Sequence, residues 1–434
     1  MQNNSLKALV IPPQWFCEKK VECENERVYP GYKLLGVSLI IRQLRGLQDS
    51  GVEEVEYYLP EKYSYLETQC RADKRISLKV NFTTYTSLME APSWYEKISP
   101  DSDWLLLRQD LIAPSKYWKE MLSKSEGKDS LLDAGSIHQR LNEENSAYYK
   151  SDAIKELGKS FNLEDLRKLN ASAESRITFE NSWRTTACGG DNLKFAERKL
   201  LNDLRKPIDG IISRTINRNI SIPISRLLSH TSVTPNMASG STVVITIFGV
   251  WAIAQGGYWM TLLGAFLYQF LSIIDGVDGE LARLKFQFSK YGEWFDTIAD
   301  DICNFLLFAT ITYSVWQSGE NPTLVWFGLF TLLNYMFITP LMYSYIIKYT
   351  DSGDVMSIDF EFNKSDSLGD DRWYIRLLAK LKFMVKRDFF IFTCFMMAVF
   401  GVLHYLLYLS AVFSLGILIT VATQHIMKMI ETKS

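Results

Sequence analysis

Hydrophobic positions follow two different rhythms along this chain, and the change comes near residue 236. Before it, short apolar runs alternate with amphipathic stretches. Residues 8–11 (ALVI) read as a strand. Within residues 37–47, Leu39, Ile40, Leu44 and Leu47 recur at the spacings of one helical face. Gly51 follows as a stop signal. Residues 52–59 alternate as a strand does, and residues 78–82 and 104–107 supply further strands. This rhythm predicts a cytosolic α/β domain with a mostly parallel sheet over residues 1–204.

After residue 236 the pattern becomes long and uncharged. Residues 237–274 contain no Asp, Glu, Lys or Arg, and Gly256-Gly257 interrupts them near the middle. A membrane helix takes about 20 apolar residues, so this run predicts two spans joined by a tight turn. Residues 389–427 are uncharged too, with His404-Tyr405 near the middle, and predict another pair. Residues 302–319 and 321–347 add one each. The C-terminal half therefore reads as an all-α membrane domain, residues 236–434, with six transmembrane helices.

Charge orients these spans. The connections at 255–258, 317–322 and 403–410 carry no Lys or Arg. The opposite connections carry Arg283, Lys285, Lys290, Lys348, Lys380, Lys382, Lys386 and Arg387, and Lys428 and Lys433 follow the last span. Positive charge marks the cytoplasmic side. The N-terminal domain shares it, because an even number of spans returns the chain to where it started. The expectation is an integral membrane protein in contact with the lipid bilayer, of the cell inner or plasma membrane if the source is prokaryotic. Between the halves, residues 205–235 set Arg214, Arg218 and Arg226 among isoleucines and leucines. They predict an amphipathic helix on the anionic leaflet, kinked at Pro223.

Other features narrow the picture. The formal net charge of −2 lacks the basic footprint of a nucleic-acid binder, so no nucleic-acid partner is expected. Cys17, Cys23, Cys70, Cys188, Cys303 and Cys394 match no zinc or disulfide framework and read as free thiols. Residues 1–7 show no signal peptide. The acids of the loop at 349–372 lack helical or EF-hand spacing and read as solvated.

The chemistry lies in Asp275, Asp278, Asp296 and Asp300. Asp275 and Asp278 are three apart and share a helix face, with Ala282 four further on. Gly292, Asp296 and Asp300 are spaced by four and line the next helix. Two antiparallel helices joined by a short basic turn bring four carboxylates into one small volume. Charges at that depth default to a functional reading. Either some are protonated or cations are bound, and oxygen-only ligands favour Mg²⁺ or Mn²⁺, or Ca²⁺. Gly279, Ala282 and Gly292 keep the helix surfaces low, and Arg283 can fork onto a phosphate. The membrane half shows no Ser-His-Asp or Cys-His set, so the nucleophile is expected from a substrate. Asp300, the deepest of the four, is the candidate for taking its proton.

Asp275-x2-Asp278-Gly279-x2-Ala282-Arg283-x8-Gly292-x3-Asp296-x3-Asp300 resembles the signature of the CDP-alcohol phosphotransferase (CDP-alcohol phosphatidyltransferase) family at all eight fixed positions. Thr234-Pro235-Asn236 before the first span is similar to that family's usual opening. The resemblance covers residues 205–430. It implies transfer of a substituted phosphate from a CDP-linked alcohol donor, CDP-diacylglycerol or a CDP-polyol, to an alcohol acceptor, with release of CMP. It implies that Asp275, Asp278, Asp296 and Asp300 hold two Mg²⁺ or Mn²⁺ ions, that Asp300 is also the base, and that Gly279, Ala282, Arg283 and Gly292 line the CDP site. It also makes a homodimer an expectation. Lys386 and Arg387, at the start of the fifth span, are read either as binders of an anionic acceptor such as inositol phosphate or another polyol phosphate, or as positive-inside anchors.

Residues 33–44 and 49–55, with the strand ending at Asp110, resemble a sugar-phosphate nucleotidyltransferase; Trp183 and Ala196-Glu197-Arg198 resemble its end. Such fusions are similar to the enzymes that make CDP-inositol and join it to inositol phosphate (inositol-phosphate cytidylyltransferase and di-inositol-phosphate phosphate synthase). Here, however, Pro12-Pro13-Gln14-Trp15-Phe16 stands where a Gly-rich, basic triphosphate loop belongs, and no glycine precedes Gly31. Thr185-Thr186-Ala187-Cys188 stands near the expected place of a late metal-binding acid. The domain therefore reads as a degenerate, inactive Rossmann-like nucleotidyltransferase fold, a scaffold or regulatory domain. The alternatives are a bifunctional enzyme that also makes its CDP-alcohol from CTP, and an ion transporter using the buried acids.

Overall fold

The computed structural model describes residues 5–12, 30–86, 97–99, 101–125, 130–133, 146–150, 176–177, 182–187, 190–206, 209–288, 290–319, 321–349 and 387–431. Cys17, Cys23, Cys188, residues 13–16, the acidic loop at 351–371, and Lys380, Lys382 and Lys386 lie outside them. The chain divides into two compact units. One comprises residues 1–203 with 284–286, the other 204–283 with 287–434.

The first unit is built on a seven-stranded sheet. At its centre Asp103–Arg108, Leu6–Ile11, Glu54–Pro60 and Lys79–Tyr85 run parallel in that spatial order. The predicted strands recur there, three of them a little longer than their apolar runs and the fourth, Glu54–Pro60, starting two residues later than its run. Ala8, Leu9, Val10 and Ile11 are all fully buried, as expected of a parallel strand covered on both faces. Beyond Asp103–Arg108 the sheet turns mixed. Ser146–Tyr149 joins antiparallel, then Ser130–Asp133, and Arg176–Ile177 closes the edge. The helix Leu39–Gln48 starts two residues after the pattern suggested, because Val37–Ser38 pairs with Lys33–Leu34 as a small hairpin. Its predicted face, with Ile40, Leu44 and Leu47, packs into one core with Val55, Tyr57, Leu105 and Trp118.

The second unit is helical. Five of its helices are long and apolar enough to cross a membrane: Pro235–Ala254, Tyr258–Lys285, Trp294–Ser318, Pro322–Tyr349 and Leu403–Thr423. The expected count of six is not met among the described residues. The remaining segment is the helix Arg387–Val399, whose 13 residues extend about 20 Å against a hydrocarbon core of about 30 Å. Its first residue is also the first described after position 349. The turn predicted between the first two spans is present, with Gly256 at φ 69° and Gly257 at φ 73°. Two successive positive φ values are accessible to glycine at little cost. Thr234 caps the first span by accepting the Met237 amide, with Pro235 in the first turn.

The segment before the first span differs from expectation. The helix Arg218–Ser229 runs through Pro223, and the irregularity lies earlier, in a π-type turn at Ser213–Asn217. Cys70, Cys303 and Cys394 are buried free thiols, as expected.

Candidate active site

Both arms of the aspartate motif are helical. Tyr258–Lys285 has 28 residues and Lys290–Ser318 has 29. At 1.5 Å per residue each exceeds about 40 Å, more than the hydrocarbon core needs. Counted from Tyr258, the roughly 20 residues of a crossing end near Val277. Asp275 and Asp278 therefore stand where the second span leaves the apolar layer.

The structure brings the four aspartates together. One carboxylate oxygen from each of Asp275, Asp296 and Asp300 lies within 4.8 Å of the other two. Asp278 meets Asp296 carboxyl to carboxyl, and Asp275 meets Asp300 in the same way. Two like unit charges 4.8 Å apart repel by about 3.5 kcal/mol at an effective dielectric constant of about 20. Such a cluster calls for cations, and its all-oxygen donors suit a hard divalent ion. Asp278 is the most enclosed member, 7% exposed. Ser239 of the first span donates to it at 2.5 Å, and the Gly279 amide donates to its other oxygen. Asp275, Asp296 and Asp300 are half-buried.

The other motif positions line the surroundings. A Cβ built on Gly279 meets nothing within 4 Å, so the backbone there faces open space. Ala282, Arg283 and Gly292 are half-buried. The Arg283 Nε is buried without a hydrogen-bond partner among the described residues.

Several site residues escaped the sequence reading. The sequence puts Arg387 at the start of the fifth span and gives no sign of its contact with the aspartates. Its Nη1 lies 3.2 Å from Asp275 Oδ2 and also pairs with Asp300. Its Nε and Nη2 find no partner among the described residues. Asp301, next to the motif, accepts hydrogen bonds from Tyr343 (2.7 Å) and Tyr335 (3.2 Å) of the fourth span. Glu280 occupies a free position of the motif and is fully buried. It accepts from Arg218, Ser221 and Ser225, each at 2.6 Å. Among these, only Arg387 carried a signal, a cation at a span terminus. The others pair across 34–62 positions of chain.

The helix Arg218–Ser229 is inverted relative to a soluble one. Its buried face is mostly polar, with Arg218, Ser221, Ser225 and Ser229 beside Ile222, while Ile220 and Leu227 are 43% and 71% exposed. An apolar outward face is what an interfacial helix presents to lipid. At its start Arg218 also grips Asp209, at 3.0 and 3.1 Å. Burial pushes the Asp209 carboxyl up, but its bonds to Arg218 and to the Lys206 amide outweigh this and hold it below the ordinary value.

In the first unit, Asp110 is fully buried and tied to Arg108. Nε of Arg108 reaches one carboxylate oxygen at 2.9 Å and Nη2 reaches the other at 2.8 Å. Thr185 and Thr186 pair with Ile112 and Leu111 in a two-residue ladder.

Residues 232–422 match the model of the CDP-alcohol phosphatidyltransferase family. The "Bifunctional IPC transferase and DIPP synthase" of Aquifex aeolicus is 24% identical over 330 residues, covering 69% of this chain and 75% of the relative. The protein of the same name from Thermococcus kodakarensis is 38% identical over 132 residues, 29% of each chain. Among solved structures, a UDP-glucose pyrophosphorylase complexed with UDP-glucose is 10% identical, with a TM-score of 0.34 over 46% of this chain and 99% of that one. HddC from Yersinia pseudotuberculosis is 14% identical, with a TM-score of 0.33 over 45% and 99%.

Proposed function

We propose, from the premise that residues 232–422 are a CDP-alcohol phosphatidyltransferase domain, that this membrane protein passes a substituted phosphate from a CDP-alcohol to a polyol-phosphate acceptor on the cytoplasmic side of the bilayer. That it is a transferase of substituted phosphate groups follows from the family. The donor, the acceptor, the orientation and the residue roles are our reading. The observation that carries it is the convergence of Asp275, Asp296 and Asp300, with Asp278 alongside, at the ends of two apolar helices.

Asp275, Asp278, Asp296 and Asp300 would hold two divalent ions, Mg²⁺ or Mn²⁺. Bound there, such ions supply Lewis-acid stabilisation of charge on the phosphate and the leaving oxygen. The chain's own groups do the rest. Ser239 holds Asp278 in orientation. The open backbone at Gly279 admits the CDP group, and the unpartnered Arg283 Nε faces an anionic ligand. The acceptor hydroxyl forms the new O–P bond, the bond to CMP breaks, and the hydroxyl proton passes to Asp300. Arg387 has two donors to spare, which suits a phosphorylated acceptor. A homodimer belongs to the same reading as an expectation of the family.

We read the N-terminal domain as a degenerate nucleotidyltransferase. The bidentate Arg108–Asp110 pair supports this, because it occupies both oxygens of the carboxylate that would bind metal. A second reading, that the domain also makes the CDP-alcohol, is favoured by the double activity in the names of the relatives.

Mass spectrometry of products from a panel of CDP-diacylglycerol and CDP-polyols with phosphorylated and free polyols tests the assignment. The expected product joins the donor's phosphate to a phosphorylated polyol. Products formed with unphosphorylated alcohols alone would move the acceptor assignment away from Arg387.

A further inference from the structure

The aspartate-bearing second span has a second polar stripe on its other side. Gln269, Ser272, Gly276 and Glu280 are spaced by three, four and four, and face the interfacial helix. Gln269 donates to Asn217 at 3.1 Å, and Asn217 donates to Ser272 at 3.2 Å. A Cβ on Gly276 would lie 3.3 Å from Arg218 Nη1 and 3.6 Å from Ser221 Oγ, so a glycine there lets the helices meet closely. Glu280 ends the stripe. Its Oε1 takes Arg218 and Ser221, its Oε2 takes Ser225, and it is fully buried.

Glu280 lies two residues beyond Asp278, roughly 200° round the helix. It therefore points away from the metal-binding carboxylates while belonging to the same rigid turn. Three donors from one neighbouring helix fix both the rotation and the height of that turn. Arg218, anchored in turn on Asp209, makes the grip two-ended. An unpaired carboxylate there would be costly, so the helix has one favoured rotational setting.

We infer that Glu280 is a positioning residue of the transferase site: through Arg218, Ser221 and Ser225 it locks the interfacial helix to the second span and so sets the register at which Asp275 and Asp278 meet Asp296 and Asp300. This rests on the metal-site reading above. Residues that orient metal ligands from behind typically change metal affinity by about 10- to 100-fold when altered. A role in folding alone would lower yield and leave the affinity of the folded protein unchanged.

The test is calorimetric binding of Mg²⁺ to the purified full-length protein, with donor KM and kcat measured alongside. Wild type should bind Mg²⁺. Folded Glu280→Ala should bind it at least about tenfold more weakly, with a raised donor KM. Glu280→Gln, which keeps the shape and part of the hydrogen bonding, should recover part of the loss. If Glu280→Ala fails to fold, Glu280→Gln and the double variant Ser221→Ala/Ser225→Ala carry the test, and each should bind more weakly than wild type. Wild-type Mg²⁺ affinity and donor KM in the folded variants would overturn the inference while leaving the metal site standing. A wild type that binds no Mg²⁺ would overturn the metal-site reading, and this inference with it.

Discussion

Arg387 shows what a single residue adds to a motif. The four aspartates are legible because helical spacing places them three and four apart on shared faces, while Gly279, Ala282, Arg283 and Gly292 are picked out as a set by the family resemblance. Nothing local reveals that a guanidinium 87 and 112 positions further on closes over two of them. Ser239 behind Asp278 was hidden for the same reason: it lies 39 residues away, in a different span. In our account Arg387 holds the anionic acceptor through its Nε and Nη2. Losing hydrogen bonds to a charged group costs about 1.5–3 kcal/mol. Arg387→Ala should therefore raise the acceptor KM by roughly 10- to 100-fold, with Arg387→Lys in between. Steady-state kinetics with the acceptor varied at saturating donor checks this. An acceptor KM that stays put in Arg387→Ala would return the residue to a positive-inside anchor.

Elements were legible wherever burial is one-sided or complete. The four central strands and the helix Leu39–Gln48 follow their apolar periodicity, because a parallel sheet buries such runs on both faces. Legibility failed where a tertiary partner sets local structure. The sheet turns antiparallel at Ser146–Tyr149, which has no apolar run of its own to announce it. The interfacial helix was recognised by its isoleucines, but its polar side is buried against Glu280 rather than facing solvent. At this scale, the strand Asp103–Arg108 with the following Asp110 decides whether the first domain is catalytic. Arg108 and Asp110 neutralise each other with both partners buried, and breaking such a pair is expected to cost about 3–5 kcal/mol. The full-length protein given CTP and a panel of sugar and inositol phosphates should thus release no pyrophosphate above background. Release that disappears in Asp110→Ala would instead make the enzyme bifunctional.

The helical unit divides its ends by charge and by ring. Trp259, Trp316 and Trp326 are 78%, 65% and 72% exposed and sit where the second, third and fourth spans meet their Lys- and Arg-free connections. Exposed tryptophans at that level match the aromatic belts of membrane–water interfaces. The aspartates and Arg387 lie at the opposite end of these helices, which in our account is the end that meets the water-soluble CDP group. An ion transporter would need acids along several spans. Among the described residues, the group of acids able to hold a metal ion is the one at Asp275, Asp296 and Asp300.

The central claim is that this group, with divalent ions bound, drives transfer from a CDP-alcohol. The most direct test is CMP release by the purified protein from a CDP-alcohol and a polyol phosphate as Mg²⁺ is titrated, beside Asp296→Ala and Asp300→Ala. The account predicts release that rises with Mg²⁺, vanishes with chelator, and falls by roughly 100-fold or more in Asp300→Ala, as expected on losing a general base. CMP release at the wild-type rate in folded Asp296→Ala and Asp300→Ala would contradict it.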